Sequence, residues 1–430
     1  MPNGSGGATL RDTGRDAGRD APRWPLLVAV VLVGLNLRPF LTAVGPLAGG
    51  IRTDTGMTLQ VLASLTLVPM LLMGVLAFLG PAVEAAVGAR RAVVASLALL
   101  ALGSLLRLVA GSAAGLIGTA ALLGLGVAVI QAVFPGILKR HFPDRLPLAM
   151  GLYSAMLMGG GAVGAQLSPL IAAAAGSWRA GLGWLGLPAL SALVAALVAI
   201  PRGEAPVRGE APPVGLLLRR PRTWLLMASF GLVNGGYSTV VAWLSPFYQE
   251  HGWTAAASGR LLAAMAASQA VAALLCPLLA RRHRDRRPWL WLTMALQAGG
   301  FAGLAAAPAA APLLWACCAG AGLGGCFALT LVVALDHLPR PADAGALAAL
   351  MQGGGFLIAG AAPWVVAVLH DRTGGFAAGW LLHLAEIGLV AGLTLRLRPD
   401  SYRAVMAPSP DPARPRPASV ELSSPSALRP

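Results

Sequence analysis

An all-α polytopic membrane protein, with twelve transmembrane helices in two six-helix bundles, is the fold class this sequence predicts. Three observations carry that prediction. Of the 430 residues, 57% are hydrophobic and only 11% charged, with a mean hydropathy of +0.71; soluble domains carry about 25% charged residues. Apolar runs of about 20 residues, the length that crosses a hydrocarbon core, recur between short polar or Gly/Pro breaks. One longer polar break, 201-PRGEAPVRGEAPPVGLLLRRPR-222, divides the chain nearly in half. The formal net charge of +15 comes from basic residues scattered among loops and tails, so it reads as membrane topology and not as a nucleic-acid surface.

The elements follow in order. Residues 1–23, where Arg11, Arg15, Arg19 and Arg23 alternate with Asp12, Asp16 and Asp20, form a polar tail expected to be disordered. No small-residue cleavage site follows it, so the first apolar run reads as a retained helix. An N-terminal bundle is expected over 24–200, with spans near 25–47, 59–80, 92–110, 114–138, 147–173 and 179–200. A linker occupies 201–223. A C-terminal bundle is expected over 224–397, with spans near 224–248, 258–280, 289–307, 312–335, 344–369 and 376–396, and a disordered tail over 398–430. Arg90, Arg91, Lys139, Arg140, Arg145, the linker arginines and 281-RRHRDRRP-288 share one side with both tails. The other side holds little beyond Arg52, Arg107, Arg179, Arg260 and Arg372. That asymmetry places both termini in the cytoplasm of a bacterial inner membrane. The Arg-for-Lys bias, with Lys139 the only lysine, suggests a GC-rich bacterial genome.

The halves echo each other. Gly159-Gly160-Gly161 with Pro169 recurs as Gly353-Gly354-Gly355 with Pro363, both at an offset of 194; Gly34, Asn36 and Pro46 recur as Gly231, Asn234 and Pro246; His141 and Pro143 recur as His337 and Pro339. Their collinear order points to a six-plus-six duplication.

Polar residues inside the spans are the functional candidates. Arg38 stands about nine residues from the end of its run, roughly 13 Å at helical rise, too deep to snorkel easily. It faces a partner, a wet cavity or an anion. Asn36 is two positions away, roughly 200° around an ideal helix, so both face one cavity only if Pro39 distorts the turn. Gln131 needs hydrogen-bond partners, from a cavity or a neighbouring helix. Asn234, Gly235, Gly236 and Tyr237 offer an amide, loosened backbone and a ring face; Gln352 begins the second glycine run. Gln269, Gln297, Tyr153 and Trp243 are weaker candidates, with packing favoured. In 80-GPAVEAAVGARR-91, Glu84 with Arg90 and Arg91 reads as a charge clamp or as a solvated turn. Glu386 is the one acid well inside a span; three residues after His383, it forms a helix-face pair or a weak candidate for ion coupling. No catalytic Ser/His/Asp set, phosphate loop or metal-ligand spacing is visible, and Cys276, Cys317, Cys318 and Cys326 all sit in apolar runs. An enzyme, a cofactor and a metal are therefore not expected.

The runs 34-GLNLRPFLTAVGP-46, 230-FGLVNGGYSTVVAWLSPFYQEHGWTAAASGRLLA-263 and 351-MQGGGFLIAGAAPW-364 resemble the cyanate porter family of the major facilitator superfamily (MFS). So do the triple glycine and the pattern Gln131, Pro135, Lys139-Arg140-His141-Phe142-Pro143. The resemblance runs from about residue 30 to 395. The loop 80–91 resembles the superfamily's signature, with Glu84 for the usual Asp and one extra residue before Gly88. The resemblance implies the MFS fold, a monomer in the lipid bilayer, and a central cavity lined by spans one and seven. It implies secondary active transport of a small polar or anionic, cyanate-like solute by alternating access. The family also includes exporters of nitroimidazole-type compounds, which is the alternative; a non-transporting sensor or a membrane enzyme is a remote one.

Overall fold

Each apolar run becomes a helix. The computed structural model describes residues 24–201 and 214–406; the expected N-terminal tail, residues 202–213 of the linker and everything past Met406 lie outside the described residues. The twelve spans are Trp24–Thr42, Leu59–Leu79, Ala89–Leu106, Ala113–His141, Leu148–Ala175, Trp178–Ala199, Pro221–Glu250, Ala255–Ala280, Arg287–Ala306, Pro312–Asp336, Asp343–Thr373 and Ala377–Thr394, here spans one to twelve.

Their starts are set by capping chemistry. Thr58 and Thr254, at the heads of spans two and eight, accept the amides of Val61 and Ala257 at 3.3 and 3.2 Å, and Ser112 does the same for span four through Gly115. Helix ends and reversals fall at glycines with positive φ, such as Gly88 at 82°. That glycine revises one expectation: the helix of span two continues to Val87, so the expected loop over 80–91 shrinks to a turn at Gly88.

The duplication is visible in the packing. Span one packs on spans five and six, span two on four, span three on four and six; spans seven, eight and nine pack on eleven and twelve, ten, and ten and twelve in the same way. Closest approaches recur at matching places. A Cβ on Gly126 would lie 2.7 Å from the Ser96 carbonyl, and one on Gly322 would lie 2.5 Å from that of Thr293, so spans three/four and nine/ten cross backbone to backbone. Arg90 donates to the carbonyls of Ile200 and Leu197, both at 2.8 Å, closing the end of span six. Arg287 does the same for Leu395, at 3.4 Å, beyond span twelve.

The two halves meet chiefly through spans two and eleven and spans five and eight, with span one against span seven. With six spans between each and the next, Trp24, Val214 and Met406 share one end of the molecule, called the linker end. Among the described residues, the hydrogen bonds that cross between the halves sit at the far end: Gln249 Nε2 donates to the Pro46 carbonyl at 2.9 Å, and Gln60 donates to Asp371. Toward the linker end the halves part around a cavity of about 400 Å³.

The chain past span twelve departs from expectation. Pro399–Ser401 and Tyr402–Met406 are helical and dock on the linker end, so a disordered tail cannot begin at residue 398. Tyr402 is buried and stacks on His337 with ring centroids 3.8 Å apart, and Arg222 donates to the Arg396 carbonyl and to Ser401. Burial pushes the His337 imidazole down from 6.5 to about 4, against the opposing pull of the Val333 carbonyl. A detached segment would let His337 take up a proton below pH 6.5 that the docked form refuses. Docking should therefore be unaffected above pH 6.5 and weaken progressively as the pH falls toward 4. Limited proteolysis of residues 399–406 across that range measures it, and His337→Gln should flatten the dependence.

Candidate substrate site

Span one is not a continuous helix, and its interruption makes the site. The helix Trp24–Leu35 ends, Asn36 and Leu37 donate back to Val33 and Gly34 at 3.1 Å in tight turns, and helix resumes at Pro39. Proline has no N–H to continue the ladder and disfavours helical geometry in the residue before it. Arg38 is that residue, with φ −121°. The broken segment is held from span five: Thr42 Oγ1 donates to the Gly161 carbonyl at 2.7 Å. Gly160 lets the two backbones touch, since a Cβ there would lie 2.1 Å from the Leu35 carbonyl oxygen.

Arg38 points into a small cavity between the halves, lined also by Thr42, Met158 and Gly161 from the N-terminal half. Asn234, Tyr237, Val241, Met265, Ala266, Gln269 and Phe327 line it from the C-terminal half. Only 6% of Arg38 is exposed. Its guanidinium carbon lies 5.0 Å from the centre of the Tyr237 ring, a cation–π contact between the halves. Its Nη1 is buried without a hydrogen-bond partner, and among the described residues no carboxylate pairs with it. Asn234 donates to the Phe230 carbonyl at 2.8 Å. The Tyr153 hydroxyl is buried without a partner and within electrostatic reach of Arg38. The cavity measures about 10 Å³, room for about one water.

The other nominated residues go elsewhere. Asn36 turns away from Arg38 and donates to the carbonyls of Leu32 and Pro188, at 2.7 and 3.0 Å, tying span one to span six. Gln131 and Gln352 come together, but in the separate 400 Å³ cavity with Met73, Phe78, Pro135, Val214 and Phe356. Phe230 packs against one lining ring of each cavity, 5.4 Å from Phe327 and 5.8 Å from Phe356. Glu84 pairs with Arg140 of span four at 2.6 Å, inside one half, and not with Arg90 or Arg91; Arg90 caps span six and Arg91 is exposed. Glu386 accepts from His383 Nδ1 at 2.7 Å, if the proton is on that nitrogen. The pair sits behind Gly235 of span seven, whose Cβ position is 4.0 Å from both. Gln269, ranked low in the sequence, lines the site; Thr42 and the two methionines carried no signal.

Arg107 is the residue that the charge count misplaced. It follows span three directly, yet it is wholly buried, with Nε on Thr119 Oγ1 at 3.2 Å and Nη1 on the Phe40 carbonyl at 3.3 Å. Burial lowers it to about 10, which leaves it protonated at neutral pH. It therefore holds the resumed helix of span one two residues beyond Arg38. Arg107→Leu should remove the bonds to Phe40 and Thr119 and lower stability by about 1–3 kcal/mol, which thermal melting in detergent checks.

The model of the Major Facilitator Superfamily matches residues 26–363. The chain is 45% identical over 378 residues to the cyanate transport protein CynX of Escherichia coli (strain K12), covering 88% of this chain and 98% of that one. It is 26% identical over 384 residues to the 2-nitroimidazole transporter of the same organism, covering 87% and 96%. Its fold is similar to the partially occluded inward-open conformation of the xylose transporter XylE from E. coli, with a TM-score of 0.71, 12% identity, and 87% and 99% of the two chains covered.

Proposed function

We propose, from the premise that this chain belongs to the Major Facilitator Superfamily, that it is a secondary transporter of a small, cyanate-like anion. The carrying observation is Arg38: a guanidinium buried between the two halves with Nη1 unpartnered and, among the described residues, no carboxylate beside it. Such a cation at membrane depth is costly unless something compensates it, and a bound anion does so. The relative that transports cyanate agrees with this chemistry. Tyr237 holds the guanidinium carbon over its ring at 5.0 Å, and the unpartnered Nη1 is left to meet an anion, with Asn234 and Gln269 as polar neighbours. The basic linker end faces the cytoplasm by the positive-inside rule. The parted halves at that end and the cross-half hydrogen bonds at the far end then correspond to an inward-leaning conformation. Alternating access follows as the two halves rock about the site, and a ligand that favours the closed state lowers the barrier between the end states.

Labelled cyanate uptake into proteoliposomes tests this reading, with and without an imposed pH gradient. Saturable uptake blocked by excess unlabelled cyanate is expected. Absence of flux from folded protein would remove cyanate and turn the search to nitroimidazole-type compounds, for which the ring and methionine lining of the site offers the surface.

A further inference from the structure

We infer that the carrier is an exchanger, swapping one small monoanion for another, because the charge of Arg38 hinders the return of the unloaded protein. The inference rests on the anion reading above and adds the mode of transport.

Alternating access requires a state closed at both ends. In that state Arg38 sees only the walls of its cavity, which supply a ring face, amides and methionines but no carboxylate. The space there, about 10 Å³, cannot hydrate a guanidinium. The one carboxylate deep in a span, Glu386, is bonded to His383 behind Gly235. The second buried cation, Arg107, adds positive charge on the Phe40 side. The unloaded closed state therefore confines an uncompensated positive charge away from water, whereas one monoanion at Nη1 neutralises the Arg38 site in the loaded closed state. Loaded crossings are faster in both directions, so net uptake, which needs an unloaded return, lags behind exchange. Net uptake also moves charge. An inside-positive potential speeds the outward return of the positive unloaded site, while one-for-one exchange is indifferent to potential.

The test compares labelled cyanate uptake into proteoliposomes loaded with unlabelled cyanate, formate, nitrite or bicarbonate, or with no transported anion. The potential is set by potassium and valinomycin. Internal anion is expected to raise the initial rate at least tenfold, and an inside-positive potential to raise only the uptake without internal anion. Gln269→Glu places a carboxylate in the same cavity; with folding confirmed by thermal melting, it should lose the stimulation. Equal saturable uptake with and without internal anion overturns exchange and leaves cyanate transport standing. Uptake driven by a proton gradient at the exchange rate, without internal anion, also overturns it. Stimulated exchange of formate, nitrite or bicarbonate with no cyanate movement keeps exchange and discards cyanate. No movement of any of the four anions discards both.

Discussion

Arg38→Gln is expected to abolish saturable anion uptake while leaving the protein as stable as before, or more so. A hydrogen bond to a charged group is worth about 1.5–3 kcal/mol, and losing it together with the only positive charge in the cavity should lower kcat/KM by about 100-fold or more. Residues that serve the fold behave in the opposite way. Among the described residues the guanidinium has an unpartnered Nη1 and no ion pair, so its removal relieves a desolvated charge and breaks no salt bridge with any of them. Inactivity with an unchanged or raised melting temperature is the expected signature. Uptake within threefold of wild type would remove Arg38 from the site. Arg38→Lys should recover little, because a compact, strongly hydrated ammonium lacks the planar fork of donors that a guanidinium offers an anion.

The second large effect falls on a single methyl group. Gly160→Ala should destabilise the protein by about 3 kcal/mol, the upper end of the range for overpacking. Its Cβ would meet the Leu35 carbonyl oxygen at 2.1 Å and the carbonyl carbon at 2.8 Å, and backbone cannot swing aside as a flexible side chain does. The neighbouring Gly159 has nothing within 4 Å of the same position, so Gly159→Ala should change stability by no more than about 0.5 kcal/mol. Melting of the two variants side by side decides the matter; equal melting temperatures would show that the contact between spans one and five is not as tight as described. Because Leu35 is where span one breaks, surviving Gly160→Ala protein should also transport poorly.

The reach of the sequence has a physical limit. The number, length and order of the spans were legible because burial in a bilayer makes each helix apolar over its whole length, and Pro39 marked the break in span one. The family resemblance set spans one and seven, and with them Arg38 and Tyr237, around one cavity, but the contact between the two side chains was not legible. Depth along a helix was therefore readable, but direction around it was not. Asn36 needed a partner, and nothing local said that it would be the Pro188 carbonyl, 152 residues on. Gln131 and Gln352 do share a cavity, but not the one that holds Arg38. Glu84 called for a base, and the base is Arg140 on another span, not the arginines next to it in sequence. Arg107 was counted with the far-side charges although it lies within the expected span 92–110; only tertiary packing shows it turned inward onto Phe40.

Arg38 comes from one half of the molecule and the ring beneath it from the other. On the proposed reading, the grip on the anion is thus assembled across the very seam that must part. Widening either mouth far enough for a solute to escape draws the guanidinium off the ring and frees it to turn toward water. Letting go needs no separate trigger, and the strength of the hold is a function of the angle between the two bundles.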